Sequence, residues 1–154
     1  MKIGHGEIEN PVLEIKIKKA LLGKKKKYAL HPFRMEPGLD SRLLATLFNQ
    51  SHLPDDIAFE LKMQEPCLVN RYRRKYYQRA DGRYRITVDD KLQFCAIGLH
   101  HNYFMNRVYD RGRVILELKY EEKYDNNSQW ITNHFPFRMT RMSKYVRGID
   151  LLNR

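Results

Sequence analysis

The stretch Val114-Ile115-Leu116-Glu117-Leu118-Lys119-Tyr120 (VILELKY) decides how this chain is read. An earlier run, Val12-Leu13-Glu14-Ile15-Lys16-Ile17-Lys18 (VLEIKIK), has the same design: a glutamate two residues before a lysine, among aliphatics. On a strand, residues two apart point the same way. Each run therefore predicts a strand with an acid and a base on one face and aliphatic side chains on the other.

Working outward, the same alternation recurs. Residues 24–30 (KKKKYAL) predict a hairpin partner for the first strand across a turn at Gly23, with Lys25 and Lys27 in one phase. Residues 67–78 put Asn70, Tyr72, Arg74 and Tyr76 opposite Val69, Arg71, Arg73 and Lys75. Residues 83–89 put Arg83, Arg85, Thr87 and Asp89 opposite Tyr84, Ile86 and Val88. The intervening Ala80-Asp81-Gly82 is a hairpin turn signal. His31-Pro32 to Gly38 reads as a break, and helices are predicted over Arg42–Gln50 and from Pro54 to about Met63. A short helix is expected from a cap at Asn126–Ser128 through Trp130, which is read as a packing anchor, and a turn plus short helix over 139–152. The order is strands, a helical insert, more strands and a helical end. It predicts an α+β fold and one domain spanning residues 1–154.

Composition narrows the partner. The 154 residues carry 29 basic against 18 acidic side chains, a formal net charge of +11, which favours a polyanion such as nucleic acid, phosphates or an anionic membrane. With 42% hydrophobic residues the chain is not compositionally disordered. No apolar run approaches the ~20 residues that cross a bilayer, and the opening MKIGHGEIEN lacks a signal-peptide core. Cys67 and Cys95 form no CxxC pair and read as buried thiols of a reducing compartment, so a cytoplasmic protein is expected. The adjacent His100 and His101 point opposite ways on a strand and make a poor metal pair.

The polar strand faces are dominated by Lys and Arg. If such a sheet curls into an antiparallel barrel with these faces inward, it encloses a tunnel of cations and a few carboxylates. Ammonium and guanidinium groups match a string of phosphate oxygens, and a carboxylate on one wall can hold a divalent metal that bridges them.

Several motifs, in order, give the pattern an identity. They are LEIK at residues 13–16, KKKKYAL at 24–30, the aromatic-x-Arg of Tyr72 and Arg74, GRYRITVD at 82–89, VILELK at 114–119 and RMSKYVRGI at 141–149. In this arrangement the chain resembles the VTC domain, the polyphosphate polymerase domain of the vacuolar transporter chaperone complex and its bacterial relatives. That family belongs to the triphosphate tunnel metalloenzymes (CYTH superfamily). The resemblance runs from about residue 8 to residue 150. Complete members carry further N-terminal tunnel strands with an R-x-R pair, so the chain reads as an N-terminally truncated tunnel barrel.

The resemblance implies transfer of the terminal phosphoryl of ATP to a growing polyphosphate chain. It implies Lys16, Arg74, Arg85 and Lys144 as the catalytic cations, and Lys25, Lys27, Tyr72, Lys119 and Ser143 as further phosphate contacts. Glu117 is implied as the ligand of a divalent metal, Mn²⁺ or Mg²⁺. ATP and polyphosphate are the expected partners. Two other readings stand beside it: hydrolysis of triphosphate or nucleoside triphosphate, as in related tunnel enzymes, and non-catalytic binding of polyphosphate or RNA. RYRRKYY (residues 71–77) permits base stacking, but no RNP, KH or zinc-knuckle signature is present and nucleic acid is not the expected partner.

Overall fold

In the computed structural model, the described residues are 6–19, 22–35, 41–97, 107–140 and 142–153. The His100–His101 pair lies outside them. They form a mixed α+β chain of antiparallel strands and a few helices, divided into two compact units.

The first unit holds the described residues through Cys67, with Ala96 and Ile97. Strands β2 (Val12–Lys19) and β3 (Leu22–Ala29) pair antiparallel, with Glu14 opposite Lys27 and Lys16 opposite Lys25. Directly opposed residues share a face, so the predicted phase is the observed one. Glu14, Lys16, Lys25 and Lys27 lie on the exposed side, while Leu13, Ile15, Lys26 and Tyr28 are half-buried on the other. The break expected after His31 contains a short strand, β4 (Phe33–Met35), which pairs with β1 (Gly6–Ile8). Neither was expected, because three residues are too few to display an alternation. Helices α1 (Ser41–Gln50) and α2 (Asp55–Lys62) bury Leu47 and Ile57. Pro54 precedes α2, Asp55 and Asp56 occupy its first turn and Lys62 its last, complementing the helix dipole. Ser51 ties the ribbon to the helices by donating to the Leu47 carbonyl at 2.6 Å and accepting the His31 amide at 2.9 Å.

The second unit holds Leu68–Cys95 and the described residues from Arg107 to Asn153. Its sheet has four strands: β5 (Leu68–Gln78), β6 (Tyr84–Ala96), β7 (Arg107–Tyr109) and β8 (Ile115–Tyr120). Gly82, at φ 71°, makes the predicted turn between β5 and β6, and the Asp81 carboxylate accepts the Arg83 amide. β6 is central and longer than expected. It pairs with β8 over Tyr84–Asp89 and with β7 over Gln93–Cys95, and the change of partner coincides with Lys91 at φ 53°. In β6 and β8, Ile86 faces Leu118 and Val88 faces Leu116 on one side; Arg85 faces Lys119 and Thr87 faces Glu117 on the other. A short 3₁₀ turn (Glu122–Tyr124) leads to α3 (Asp125–Thr132), and α4 (Lys144–Leu152) follows. α3 begins at Asp125 without a side-chain cap, earlier than the expected Asn126–Ser128 start.

The core of this unit is Tyr84, Leu92, Phe94 and Cys95. Full burial of side chains such as Leu92 and Phe94 is worth roughly 1.5–3 kcal/mol each. α4 seats its buried Gly148 against Phe94 and Leu68. Two expectations are corrected. Cys67 is exposed, because it lies just before β5 and outside the sheet, whereas Cys95 in β6 is buried. Trp130 is 64% exposed rather than an anchor; its ring lies against His134, 4.6 Å between centroids, one helical turn on.

The described strands form three open sheets and no closed barrel. Among the described residues, no helix is long and apolar enough to cross a membrane.

Candidate phosphate-binding site

The polar face of the four-stranded sheet gathers Tyr72 and Arg74 from β5, Arg85, Thr87 and Asp89 from β6, and Glu117 and Lys119 from β8. Alternation gives each strand's set one face, and the pairing of β6 with β5 and β8 brings the sets together. Lys144, the first residue of α4, joins them because that helix packs on the sheet.

Asp89 is the hub. Its carboxylate is 1% exposed. Arg74 donates to it side-on, Nε to Oδ1 at 2.6 Å and Nη2 to Oδ2 at 2.7 Å. Lys144 Nζ lies 2.6 Å from Oδ2. The Tyr72 ring stands beside both cations, 5.0 Å from the guanidinium carbon and 4.7 Å from Nζ, and Tyr76 is 5.9 Å from the guanidinium. An aromatic face stabilises cations that burial would otherwise penalise. Burial pushes the Asp89 carboxyl up, but the hydrogen bonds from Arg74 and Lys144 outweigh it and hold the group below its ordinary value. The hydrogen bond to Asp89, set against burial, drives the Arg74 guanidinium further above its ordinary value. Asp89 and Arg74 are therefore both charged at neutral pH.

Beside this hub, Glu117 accepts the Thr87 hydroxyl at 3.4 Å and pairs with Lys119 at 3.2 Å. Arg85, opposite Lys119, is exposed and makes no ion pair among the described residues. The face thus carries more cations (Arg74, Arg85, Lys119, Lys144) than carboxylates (Asp89, Glu117), and the surplus suits an anion. Ser143 caps α4 by accepting the Val146 amide at 3.4 Å. Capping uses a lone pair and leaves the hydroxyl hydrogen for another acceptor.

In the first unit the exposed face of the β2–β3 ribbon is a second cationic surface. Glu14 is bridged by Lys25 at 3.3 Å and Lys16 at 3.7 Å, with Lys27 directly opposite. The hydrogen bond from Lys25, followed by the fields of all three lysines, holds the Glu14 carboxyl below its ordinary value despite some desolvation.

The expected site residues therefore group as follows. Arg74, Lys144 and Tyr72 converge on one carboxylate; Glu117, Lys119 and Arg85 lie along the same face; Lys16, Lys25 and Lys27 share the ribbon. Sequence reasoning passed over Asp89. The available signal was its position, an acid in phase with Arg85 and Thr87 at the end of RYRITVD.

Among the described residues, no three His, Cys, Asp or Glu side chains gather in a cluster that could hold a metal. Mg²⁺ at a phosphate site is commonly bound by one or two carboxylates plus the phosphates themselves. Glu117 fits that requirement: it is accessible, its side chain 47% exposed, and its neighbours are the Thr87 hydroxyl and the Lys119 ammonium. Asp89 does not, since Arg74 and Lys144 occupy its oxygens.

A family model described as the VTC domain matches residues 3–153. No curated protein and no solved structure matches the chain.

Proposed function

The chain belongs to the VTC domain family, and from that premise we propose that it transfers the terminal phosphoryl of ATP to a polyphosphate chain bound by its basic strand faces. The family is associated with polyphosphate polymerase activity. The observation that best supports the reading is the pair Arg74–Lys144 gathered on a buried acid, beside an accessible Glu117 on the same face.

In this reaction a terminal oxygen of the polyphosphate attacks the γ-phosphorus of ATP in line. A new P–O bond forms, the bond to the β–γ bridging oxygen breaks, and its electron pair leaves on ADP. Such transfer is mainly positioning and charge stabilisation and needs no protein nucleophile. Arg74 and Lys144 hold the equatorial oxygens of the transferring group. Arg85 and Lys119 take neighbouring phosphates, and on the first unit Lys16, Lys25 and Lys27 are further phosphate contacts. Tyr72 and Ser143 donate hydrogen bonds. Glu117 would hold a divalent cation (Mn²⁺ or Mg²⁺), which would supply positive charge to offset that of the phosphates.

The test is product analysis with ATP and either metal. Long polyphosphate plus ADP is the expected outcome, and Glu117→Ala should abolish it. ADP with free phosphate and no polymer would replace the polymerase by a hydrolase. Retention of long polyanions without metal, and without turnover, would leave only a binding module.

A further inference from the structure

Transfer as written consumes no proton and uses no buried acid, yet the most buried charge on this face is Asp89. A buried carboxylate is tolerated only when paired, and Asp89 is paired twice, from two different elements. Arg74 reaches it from β5 and Lys144 from the start of α4. Arg74 spends Nε and one Nη2 hydrogen on Asp89 and also meets Tyr76, and Lys144 spends one ammonium hydrogen; further N–H donors of both are left for another acceptor.

Anchoring α4 does not by itself require this arrangement. Arg147 already binds Asp110 through two hydrogen bonds of 2.8 and 2.9 Å, and Gly148 sits directly against Phe94. The Asp89 grip acts nearly one turn earlier, at Lys144, the first residue of α4, where a helix side chain shares an acid with a strand arginine.

We propose that Asp89 is a positioning residue that sets Arg74 and Lys144 at a fixed separation and orientation, so that their remaining donors act jointly on one phosphate group. The inference rests on the phosphate reading of this face. Asp89 has a second effect: it cancels one of the two positive charges. That weakens the static grip on a polyanion, which must leave or advance after each transfer. Without Asp89 the two cations repel each other in the empty site and are relieved by a bound polyanion. Affinity and turnover should therefore move in opposite directions.

The test is Asp89→Asn in the full chain, beside Asp110→Asn, which removes the buried acid that Arg147 of α4 binds. Three quantities are measured: thermal midpoint, tripolyphosphate affinity by calorimetry, and turnover of ATP to polyphosphate. Both variants should lower the midpoint. In Asp89→Asn alone, turnover should fall roughly tenfold to a hundredfold, the scale of a misplaced reacting group, while tripolyphosphate binds as tightly as before or tighter. Parallel loss of affinity and turnover in both variants means a merely structural acid and overturns the proposal. So does unchanged turnover in Asp89→Asn.

If the unsubstituted chain binds tripolyphosphate but forms no polymer, the polymerase reading fails and the affinity arm still decides this inference. If it binds none, the phosphate reading itself falls. A measurement on the unsubstituted chain covers the case in which Asp89→Asn does not fold. The Arg74 Nε–H resonance should be protected from exchange and stay so at saturating tripolyphosphate. Its loss of protection would show phosphate pulling Arg74 off Asp89, against the proposal.

Discussion

Replacing Gly148 with alanine should loosen α4 and, through it, the phosphate site. A Cβ at this position would lie 2.6 Å from Phe94 Cδ1, 2.8 Å from Leu68 Cδ2 and 3.1 Å from Phe94 Cε1. Carbon atoms ordinarily meet at about 3.5–4.0 Å, so the nearest contact is short by about 1 Å. Phe94 is fully buried, and in a close-packed interior its ring gives way only by displacing its neighbours. The helix must lift or roll. Two terms compete: in a helix interior, Gly→Ala gains roughly 0.8–1 kcal/mol, while overpacking a core costs about 1–3 kcal/mol. With two separate side chains overlapped, the second term wins, and a net loss of about 1–2 kcal/mol is expected.

The effect should not stop at stability. Lys144 lies four residues before Gly148, on the same helix face, so a lifted helix draws Lys144 away from Asp89, now 2.6 Å distant. The assay is urea denaturation of Gly148→Ala, Phe94→Leu and the double variant, with tripolyphosphate binding measured on each. The smaller side chain should absorb the new methyl, giving a favourable coupling of about 0.5–1.5 kcal/mol. A Gly148→Ala chain as stable as the unsubstituted one, or more so, would show that α4 is not seated as described.

Three further outcomes are expected. Asp89 has a folded-state pKa below its unfolded value of about 3.9, so its contribution to stability is complete above about pH 4 and is lost as pH falls through the folded value. Urea midpoints from pH 6 to 2 should therefore drop less in Asp89→Asn than in the unsubstituted chain, and equal drops would contradict the pairing. Ser143→Ala should cost about 0.5–2 kcal/mol through the lost α4 cap. Ser143→Asp should keep the cap but weaken tripolyphosphate binding by charge repulsion, and unchanged binding in Ser143→Asp would remove Ser143 from the phosphate contacts.

Much of the strand chemistry was legible in advance because alternation is a local property. The partition of VILELKY into Glu117 and Lys119 against Leu116 and Leu118 is the observed one, and RYRITVD splits as expected into Arg85 and Thr87 against Ile86 and Val88. The Asp81-Gly82 turn was readable because only a few residue types accept a positive φ. The three-residue strands β1, β4 and β7 were not readable, since they exist through their partners and carry no period of their own. Nor was the full length of β6, whose second half is defined by pairing with β7.

The candidate site divides along the same line. Residue type and phase alone marked Arg74, Arg85, Glu117 and Lys119 as one chemical class on one kind of face. That Arg74 and Lys144 close on Asp89, rather than standing free in solvent, was decided by tertiary structure. The three belong to β5, α4 and β6, and no periodicity within one element encodes a distance between elements. The glycine of the closing motif is the counterpart: the letter was visible in the sequence, but its reason, Phe94 and Leu68 pressed against the space a side chain would need, appears only once α4 lies on the sheet.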